Sequence, residues 1–187
     1  MQPKALFLFG TNKEDSRPNF GLFTWITNCW NGEYSIMACI GEPKLTKDRI
    51  REQSVFSANL VSAPLLPLAD YLGNNSGYSP SKMDISLKVG RGAVLDVPIL
   101  IDSPFIMELE VTKTVPLFED SDIFICKIRN TIKSECSAGG NENVEEWLRL
   151  ASPVISVGHQ YFAVNPISIG SWGQWKNLNG EKPLTKI

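Results

Sequence analysis

The sequence predicts a mainly β protein, an antiparallel β-barrel with a few short helices. Short runs rich in β-branched and aromatic residues recur along nearly the whole chain, and turn-forming residues separate them. Only three short stretches have a helical pattern, so the helices are additions to a β framework. The length of 187 residues suits one domain with a sizeable core. We therefore expect a single domain over residues 1–187.

The first part of the chain predicts four strands and one helix. The predicted strands cover residues 5–10, 20–28, 34–40 and 55–61. Asn31-Gly32 lies between the second and third strands, and this pair is typical of a hairpin turn because both residues tolerate a positive φ. Thr46 precedes residues 47–50 and is expected to cap the first helix.

The rest of the chain predicts two further helices and more strands. We expect helices over residues 67–72, ending at Gly73, and 144–150. The expected strands are 94–101, divided at Pro98, then 105–115 and 123–132 as an antiparallel pair, and 153–157 and 161–164 as terminal fragments. Gly90 to Gly92 is predicted to form a turn. The tail from residue 170 carries Trp172 and Trp175.

The composition excludes several classes of protein. Apolar residues make up 43% and charged residues 20% of the chain, and the net charge is −2. No strongly basic face is therefore expected, which argues against a nucleic-acid partner. No stretch is apolar enough to span a membrane, and the N-terminal apolar run is too short for a signal peptide. The four cysteines have no C-x-x-C spacing, so we expect reduced thiols and a cytoplasmic protein.

Side-chain catalysis has little support in this sequence. His159 is the only histidine and is near no nucleophile motif. One histidine without neighbouring ligands predicts no metal site, and no glycine-rich nucleotide motif is present. We assign no catalytic residue and expect a cofactor to carry the reaction.

The loop after the third strand has the features of a phosphate site. A helix N-terminus with free N–H groups, a Thr46 hydroxyl and the nearby Lys44 would attract an anion. The alternative is that Thr46 only caps the helix and Lys44 only faces solvent. The local sequence leaves both interpretations open.

Four motifs, in a fixed order along the chain, help to decide between a phosphate site and a simple helix cap. They are N-x-x-x-x-T-W from Asn19, K-x-T-x-x-x-I from Lys44, F-x-x-N-L from Phe56 and D-Y-x-G-x-x-S-G-x-x-x-x-K from Asp70. This set resembles the flavoredoxin-like flavin reductase family. The resemblance implies an FMN-binding split β-barrel, an antiparallel barrel of Greek-key type, and it covers nearly the whole chain.

The resemblance also implies which positions bind the cofactor. The expected cofactor-binding residues are Phe23, Thr24, Trp25, Gly41, Lys44, Thr46, Asn59, Leu60, Ser76, Gly77 and Lys82. Lys44 and Thr46 match the phosphate loop, Asn59 matches the strand under the flavin, and the loop of Ser76, Gly77 and Lys82 matches the one that closes over the site. This chain has Leu22-Phe23 where the family often has Met-Thr, and Asn31-Gly32 where it often has Pro-Pro.

The function implied by the resemblance is hydride transfer from NADH or NADPH to flavin, followed by onward electron transfer. A homodimer is expected, with flavin, a nicotinamide nucleotide and a redox protein as partners and with no nucleic acid or membrane. Two alternatives remain: an FMN electron carrier that nicotinamide does not reduce directly, and a split-barrel binding module that has lost FMN. The colour of the protein and its bleaching by NADH or NADPH distinguish the three.

Overall fold

The structure, a computed structural model, describes residues 2–118, 120–133 and 143–170. The strands are β1 Lys4–Ala5, β2 Phe7–Asn12, β3 Pro18–Phe23, β4 Ile26–Trp30, β5 Tyr34–Ile40, β6 Val55–Leu60, β7 Val89–Arg91, β8 Pro98–Leu100, β9 Phe105–Pro116, β10 Asp122–Lys133, β11 Val154–Val157 and β12 Gln160–Ala163. The α-helices are α1 Leu45–Gln53, α2 Leu66–Asn74 and α3 Val144–Ala151, and Ala63–Leu65 and Pro80–Met83 form short 3-10 helices. Trp172, Trp175 and Cys136 lie outside the described residues.

The main sheet has seven antiparallel strands in the order β3-β2-β6-β9-β10-β5-β4. Its two edge strands, β3 and β4, are consecutive in the chain, and only Thr24 and Trp25 separate them. Three residue steps span at most about 11 Å, so the two edges must approach each other. The sheet therefore curls into a barrel that is split between β3 and β4. The prediction of a mainly β split barrel is confirmed.

The predicted strand over residues 20–28 is wrong, because two strands replace it. β3 pairs with β2, whereas β4 pairs with β5 on the other edge of the sheet. A continuous strand could not pair at both edges, and the two residues Thr24 and Trp25 make the change of direction. The hairpin at Asn31-Gly32 is confirmed: Trp30 pairs with Tyr34, and Gly32 has a φ of 78°.

Two apolar clusters occupy the two sides of the barrel wall. The interior is filled by side chains from β2, β5, β6, β9, β10 and α1, which include Phe9, Ile36, Ile50, Phe56, Leu109 and Phe124. The second cluster packs α2 against the outside of the barrel through Leu6, Leu8, Phe20, Ala69, Leu72 and Leu100. This second cluster fixes the C-terminal end of α2 over β3.

Three element boundaries differ from the predictions. The helix predicted to end at Gly73 continues to Asn74, because Gly73 does not adopt the positive φ of a glycine that ends a helix. Gly73 instead lets α2 approach β3 closely, since a Cβ there would lie only 3.0 Å from Leu22 Cβ. The residues around Gly90, predicted as a turn, form β7, which pairs with β8. The strand predicted over 94–101 is reduced to β8, since the preceding residues form a loop.

That loop is held by Glu108, a fully buried carboxylate on β9. Its oxygens accept hydrogen bonds from the backbone N–H groups of Ala93, Val94 and Leu95 at 2.6 to 2.9 Å, and from Asn130 Nδ2 at 2.8 Å. Burial by itself raises the pKa of Glu108, but these hydrogen bonds outweigh it and lower the pKa. Glu108 is therefore an ionised anchor for the loop before β8.

Candidate functional site

A cavity of about 280 Å³ lies between β3, the N-terminus of α1, the C-terminus of α2 and the loop over residues 75–82. Six of the eleven residues predicted to bind the cofactor line it. They are Phe23, Lys44, Thr46, Ser76, Gly77 and Lys82. These residues come from three separate parts of the sequence, and the fold brings them together around one cavity.

The N-terminus of α1 forms one wall of the cavity. The helix begins at Leu45. Lys44 is the N-cap residue, its backbone is extended, and its side chain makes no capping hydrogen bond to the helix. The N–H groups of the first helical turn have no carbonyl acceptor within the helix, so this end favours an anion. The prediction that Thr46 caps α1 is wrong. Thr46 is the second helical residue, and its Oγ1 accepts a hydrogen bond from Asn19 Nδ2 at 3.0 Å.

Lys82 provides a buried positive charge. Only 4% of its surface is exposed, although it lines the cavity. Across the residues that the structure describes, its ammonium has no hydrogen bond or ion pair. Burial and the positive charges of Lys13 and Lys44 lower the pKa of Lys82 to about 8. The charge of a largely buried lysine without a counter-ion is costly, and an anion in the cavity would supply the missing charge.

The two neighbouring lysines differ from Lys82 in their surroundings. The side chain of Lys44 is 49% exposed, and its Nζ lies 3.5 Å from Glu42 Oε2, so solvent screens much of its charge. Lys47 is fully buried but is neutralised by Asp120, whose Oδ2 lies 3.0 Å from Lys47 Nζ. Lys44 and Lys82 are therefore the two lysines that can act on a ligand in the cavity.

Two glycines let neighbouring backbone segments pack closely against α1. A Cβ at Gly21 would lie 3.0 Å from Thr46 Oγ1, and one at Gly77 would lie 2.8 Å from Leu45 Cβ. The backbone of β3 and that of the 75–82 loop therefore approach the helix as closely as only glycine allows. Gly77 was predicted from its motif. Gly21 was missed, although a glycine within a strand is itself a signal of close approach.

The 75–82 loop is attached to both neighbouring helices. Tyr78 Oη donates a hydrogen bond to Asp48 Oδ2 on α1 at 2.5 Å, and Tyr71 Oη on α2 donates to the Lys82 carbonyl at 3.3 Å. The hydrogen bond to Asp48, with burial and the negative charge of Asp48, raises the pKa of Tyr78 to about 12. Tyr78 therefore stays a hydrogen-bond donor throughout the neutral range.

Three more predicted residues cluster where β3 passes into β4. Thr24 and Trp25 directly follow Phe23, which lines the cavity and stacks on Phe9 with ring centroids 4.6 Å apart. The Trp25 carbonyl accepts a hydrogen bond from Cys39 N at 2.8 Å, and a Cβ at Gly41 would lie 3.9 Å from the Trp25 ring. Trp25 is 58% exposed, so its ring is open to a ligand or a second chain.

Asn59 and Leu60 do not reach the cavity. Asn59 Nδ2 donates to the Leu8 carbonyl and to Ser57 Oγ, both at 2.9 Å. Its Oδ1 accepts from Leu100 N at 2.9 Å. The amide of Asn59 thus joins β6 to β2 and β8, and its hydrogen bonds are all satisfied inside the protein. The alternation of residues along β6 predicts that Asn59 and Leu60 point to opposite faces of the sheet. It does not predict the hydrogen-bond partners of Asn59.

The donors of the cavity fit a phosphate-bearing ligand. Its lining combines two ammonium groups, a helix N-terminus and two hydroxyls with apolar side chains such as Phe23. No carboxylate or imidazole lines this cavity within the described ranges. Those ranges likewise contain no group of three His, Cys, Asp or Glu side chains able to hold a metal ion. They also contain no helix long and apolar enough to cross a membrane.

Comparison with known proteins gives a family and several similar structures. Residues 2–146 match the family described as flavin reductase like domain. The flavoredoxin of Desulfovibrio vulgaris (Miyazaki F) is 27% identical, with 92% of this chain and 93% of that chain covered and a TM-score of 0.79. Flavoredoxin from Methanosarcina acetivorans is 18% identical, covers 94% and 92% of the two chains, and gives a TM-score of 0.80.

Two further proteins extend this comparison. An FMN-binding protein from Thermus thermophilus is 19% identical, with 91% of each chain covered and a TM-score of 0.75. An uncharacterized protein of Aeropyrum pernix is 27% identical over 114 residues, which are 60% of this chain and 43% of that protein. The chain therefore spans less than half the length of this relative.

Proposed function

The chain belongs to the flavin reductase like domain family, and from that premise we propose that it is an FMN-dependent oxidoreductase of the flavin reductase type. The observation that carries the proposal is the cationic cavity at the N-terminus of α1. Lys82 is buried there without a counter-ion among the described residues, and FMN carries a phosphate dianion.

Each group in the cavity has a role toward FMN. Lys82, Lys44 and the first-turn N–H groups of α1 would hold the phosphate, and the Thr46 hydroxyl would add a hydrogen bond. Gly21 and Gly77 let β3 and the 75–82 loop pack closely against the start of the helix, which keeps these groups around one cavity. Phe23 and Trp25, at the passage from β3 to β4, offer aromatic surface to the flavin ring.

Bound FMN supplies the redox chemistry, since it accepts a hydride and passes electrons on. The residues of this chain bind and orient it, and none acts as an acid or base in the proposal. NADH or NADPH is the proposed reductant. The three described free cysteines, Cys29, Cys39 and Cys126, fit the proposed cytoplasmic location.

The similarity to two flavoredoxins favours a second candidate function. In that case the chain is an FMN electron carrier that exchanges electrons with a redox protein and is not reduced directly by nicotinamide. The binding site would be the same, and only the source of the electrons would differ.

One experiment tests the proposal and separates the candidates. The purified chain is titrated with FMN, and NADH or NADPH is then added without oxygen while the visible flavin absorbance is followed. We expect FMN to bind and its absorbance to bleach with one of the two nucleotides. Binding without bleaching by either nucleotide would favour the electron carrier. Failure to bind any flavin would contradict both candidates and leave a barrel that has lost FMN.

A further inference from the structure

Asn19, on β3, lies behind the cavity and links two threonines. Its side chain is fully buried, and its Nδ2 donates to Thr46 Oγ1 at 3.0 Å and to Thr11 Oγ1 at 3.2 Å. An amide nitrogen carries two hydrogens, so both are used. Each threonine oxygen is therefore an acceptor toward Asn19, and each hydroxyl keeps its own hydrogen to donate elsewhere.

Only Thr46 borders the cavity, whereas Thr11 does not. In the described part of the chain, the hydroxyl hydrogen of Thr46 has no acceptor. Because an N–H group of Asn19 already binds the Thr46 oxygen from one side, the hydroxyl hydrogen of Thr46 points away from Asn19. The cavity is the space that can provide an acceptor for it.

A second observation concerns the oxygen of the Asn19 amide, which lies beside the 75–82 loop. Asn19 Oδ1 is buried and has no hydrogen-bond partner among the residues described. This oxygen faces Gly77, where an added Cβ would lie 3.1 Å away. An unpaired buried acceptor is unfavourable, so a purely structural role does not explain Asn19. The residue contacts both the first turn of α1 and the loop that closes the cavity.

We propose that Asn19 is a positioning residue for phosphate recognition. It orients the Thr46 hydroxyl as a hydrogen-bond donor into the cavity, so the ligand must present an acceptor there, as a phosphate ester does. This inference rests on the proposed FMN site and adds the residue that selects for the phosphate. Asn19 acts through Thr46 and does not itself contact the ligand.

The test compares FMN with riboflavin, which lacks the phosphate. Both are titrated into the full chain after release of bound flavin, for the wild type and for Asn19→Leu. We expect the FMN affinity to fall by about three- to tenfold, as for one lost hydrogen bond. The riboflavin affinity should stay unchanged. Asn19→Ser, which is too short to reach Thr46, carries the same expectation if Asn19→Leu does not fold.

A double-mutant cycle tests whether Asn19 acts through Thr46. We expect Thr46→Val to lower the FMN affinity relative to riboflavin, and Asn19→Leu to have no further effect on that ratio in the Thr46→Val background. Thr11→Val is the matched control, because it removes the other partner of Asn19 away from the cavity. It should lower stability and leave the ratio unchanged.

The outcomes separate the inference from the function. Equal losses for FMN and riboflavin, or a full Asn19 effect that persists in Thr46→Val, would overturn the positioning role while leaving the flavin site in place. A wild-type chain that binds no flavin would overturn the proposed function itself. The inference is supported if Asn19→Leu lowers the FMN affinity relative to the riboflavin affinity when Thr46 is present and has no such effect in Thr46→Val.

Discussion

At the scale of single residues, burial decides which lysine matters most for an anion in the cavity. The motifs draw attention to Lys44, which precedes α1. The structure shows Lys44 half exposed and near Glu42, while Lys82 is buried and has no counter-ion in the described part of the chain. Because solvent screens exposed charges, Lys82 is expected to contribute more to phosphate binding than Lys44.

We predict that Lys82→Met weakens FMN binding by roughly ten- to a hundredfold, because a charge-assisted hydrogen bond is lost. Lys44→Ala should weaken it by only about two- to tenfold. Paired FMN and riboflavin titrations measure both, with the exposed Lys88, which pairs with Asp102, as a control through Lys88→Ala. A larger effect of Lys44→Ala than of Lys82→Met would contradict this ranking.

The lowered pKa of Lys82 predicts the direction of two further effects, one on stability and one on the pH dependence of FMN binding. Burial disfavours its charged form in the folded chain, so removing the charge with Lys82→Met should raise the stability of the flavin-free protein even as FMN binding falls. FMN affinity of the wild type should decline as the pH rises above about 8, where the ammonium loses its proton. Thermal unfolding and titration at pH values on either side of this pKa measure the two effects.

Glu108 gives a second prediction at this scale, which concerns stability. Glu108→Gln places an amide NH₂ against backbone N–H donors, and we expect a loss of roughly 2–4 kcal/mol in the free energy of unfolding. Its pKa is lowered in the folded state. The stabilisation should therefore be complete above the ordinary glutamate pKa and disappear as the pH falls through the lowered one.

Chemical denaturation of the wild type and Glu108→Gln over a series of pH values measures this difference. Glu110→Gln, on the same strand, is the control: Glu110 forms a half-exposed ion pair with Arg129 at 2.6 Å, and its loss should cost about 0–1 kcal/mol. Equal losses in the two variants would show that Glu108 does not anchor the loop.

At the scale of elements, the site depends on how the 75–82 loop is attached to α1. Tyr78 links the loop to Asp48, and Asp48 lies within 4.0 Å of Arg51, which also contacts Asp120 and Asp122. The loop that closes the cavity is thus connected through α1 to the turn before β10. The fourth motif includes this loop but leaves Tyr78 unspecified, because the hydrogen-bond partner of Tyr78 lies on another element.

We predict that Tyr78→Phe speeds the release of FMN by about threefold, because the loop then opens more often. Stopped-flow measurements should show that association also becomes faster, so the equilibrium affinity changes less than either rate. Tyr161→Phe is the control, since Tyr161 donates a similar hydrogen bond to Asp70 at 2.7 Å but does not belong to the 75–82 loop. An unchanged release rate in Tyr78→Phe would exclude this attachment as a barrier to release.

At the scale of the whole molecule, exposed aromatic side chains lie along the edge of the sheet that β4 forms beside the split. Trp25 lies in the link between β3 and β4, and Trp30 and Tyr34 form a cross-strand pair on the adjoining hairpin. Their exposed fractions are 58%, 77% and 59%. Exposed aromatic groups of this kind are typical of protein interfaces.

We predict that the chain forms a homodimer through this region. Light scattering of the FMN-loaded protein at micromolar concentration should give twice the 20.8 kDa chain mass. Trp30→Ser should weaken the dimer, whereas Phe118→Ser, at an equally exposed position on the β9–β10 hairpin, should not. A monomer with FMN bound would contradict the prediction.

The sequence by itself determined the features that depend on neighbouring residues. Alternating apolar residues predicted β5, β6, β9 and β10, and Asn31-Gly32 predicted the hairpin. The resemblance carried by the four motifs implied the split barrel, and six of the eleven residues that it implied line one cavity. These signals are readable because strand periodicity and turn chemistry are local properties.

Only the tertiary structure decided the features that depend on distant partners. The strand predicted over 20–28 is two strands at opposite edges of the sheet. Thr46 does not cap α1 but accepts a hydrogen bond from Asn19. The amide of Asn59 is hydrogen-bonded inside the sheet. Lys82 is buried without a counter-ion in the described part of the chain. Asn19 and Thr46 are 27 residues apart, and Asn59 and Leu8 are 51 apart. Burial and hydrogen-bond partners at such separations follow from the closure of the barrel, which no local pattern encodes.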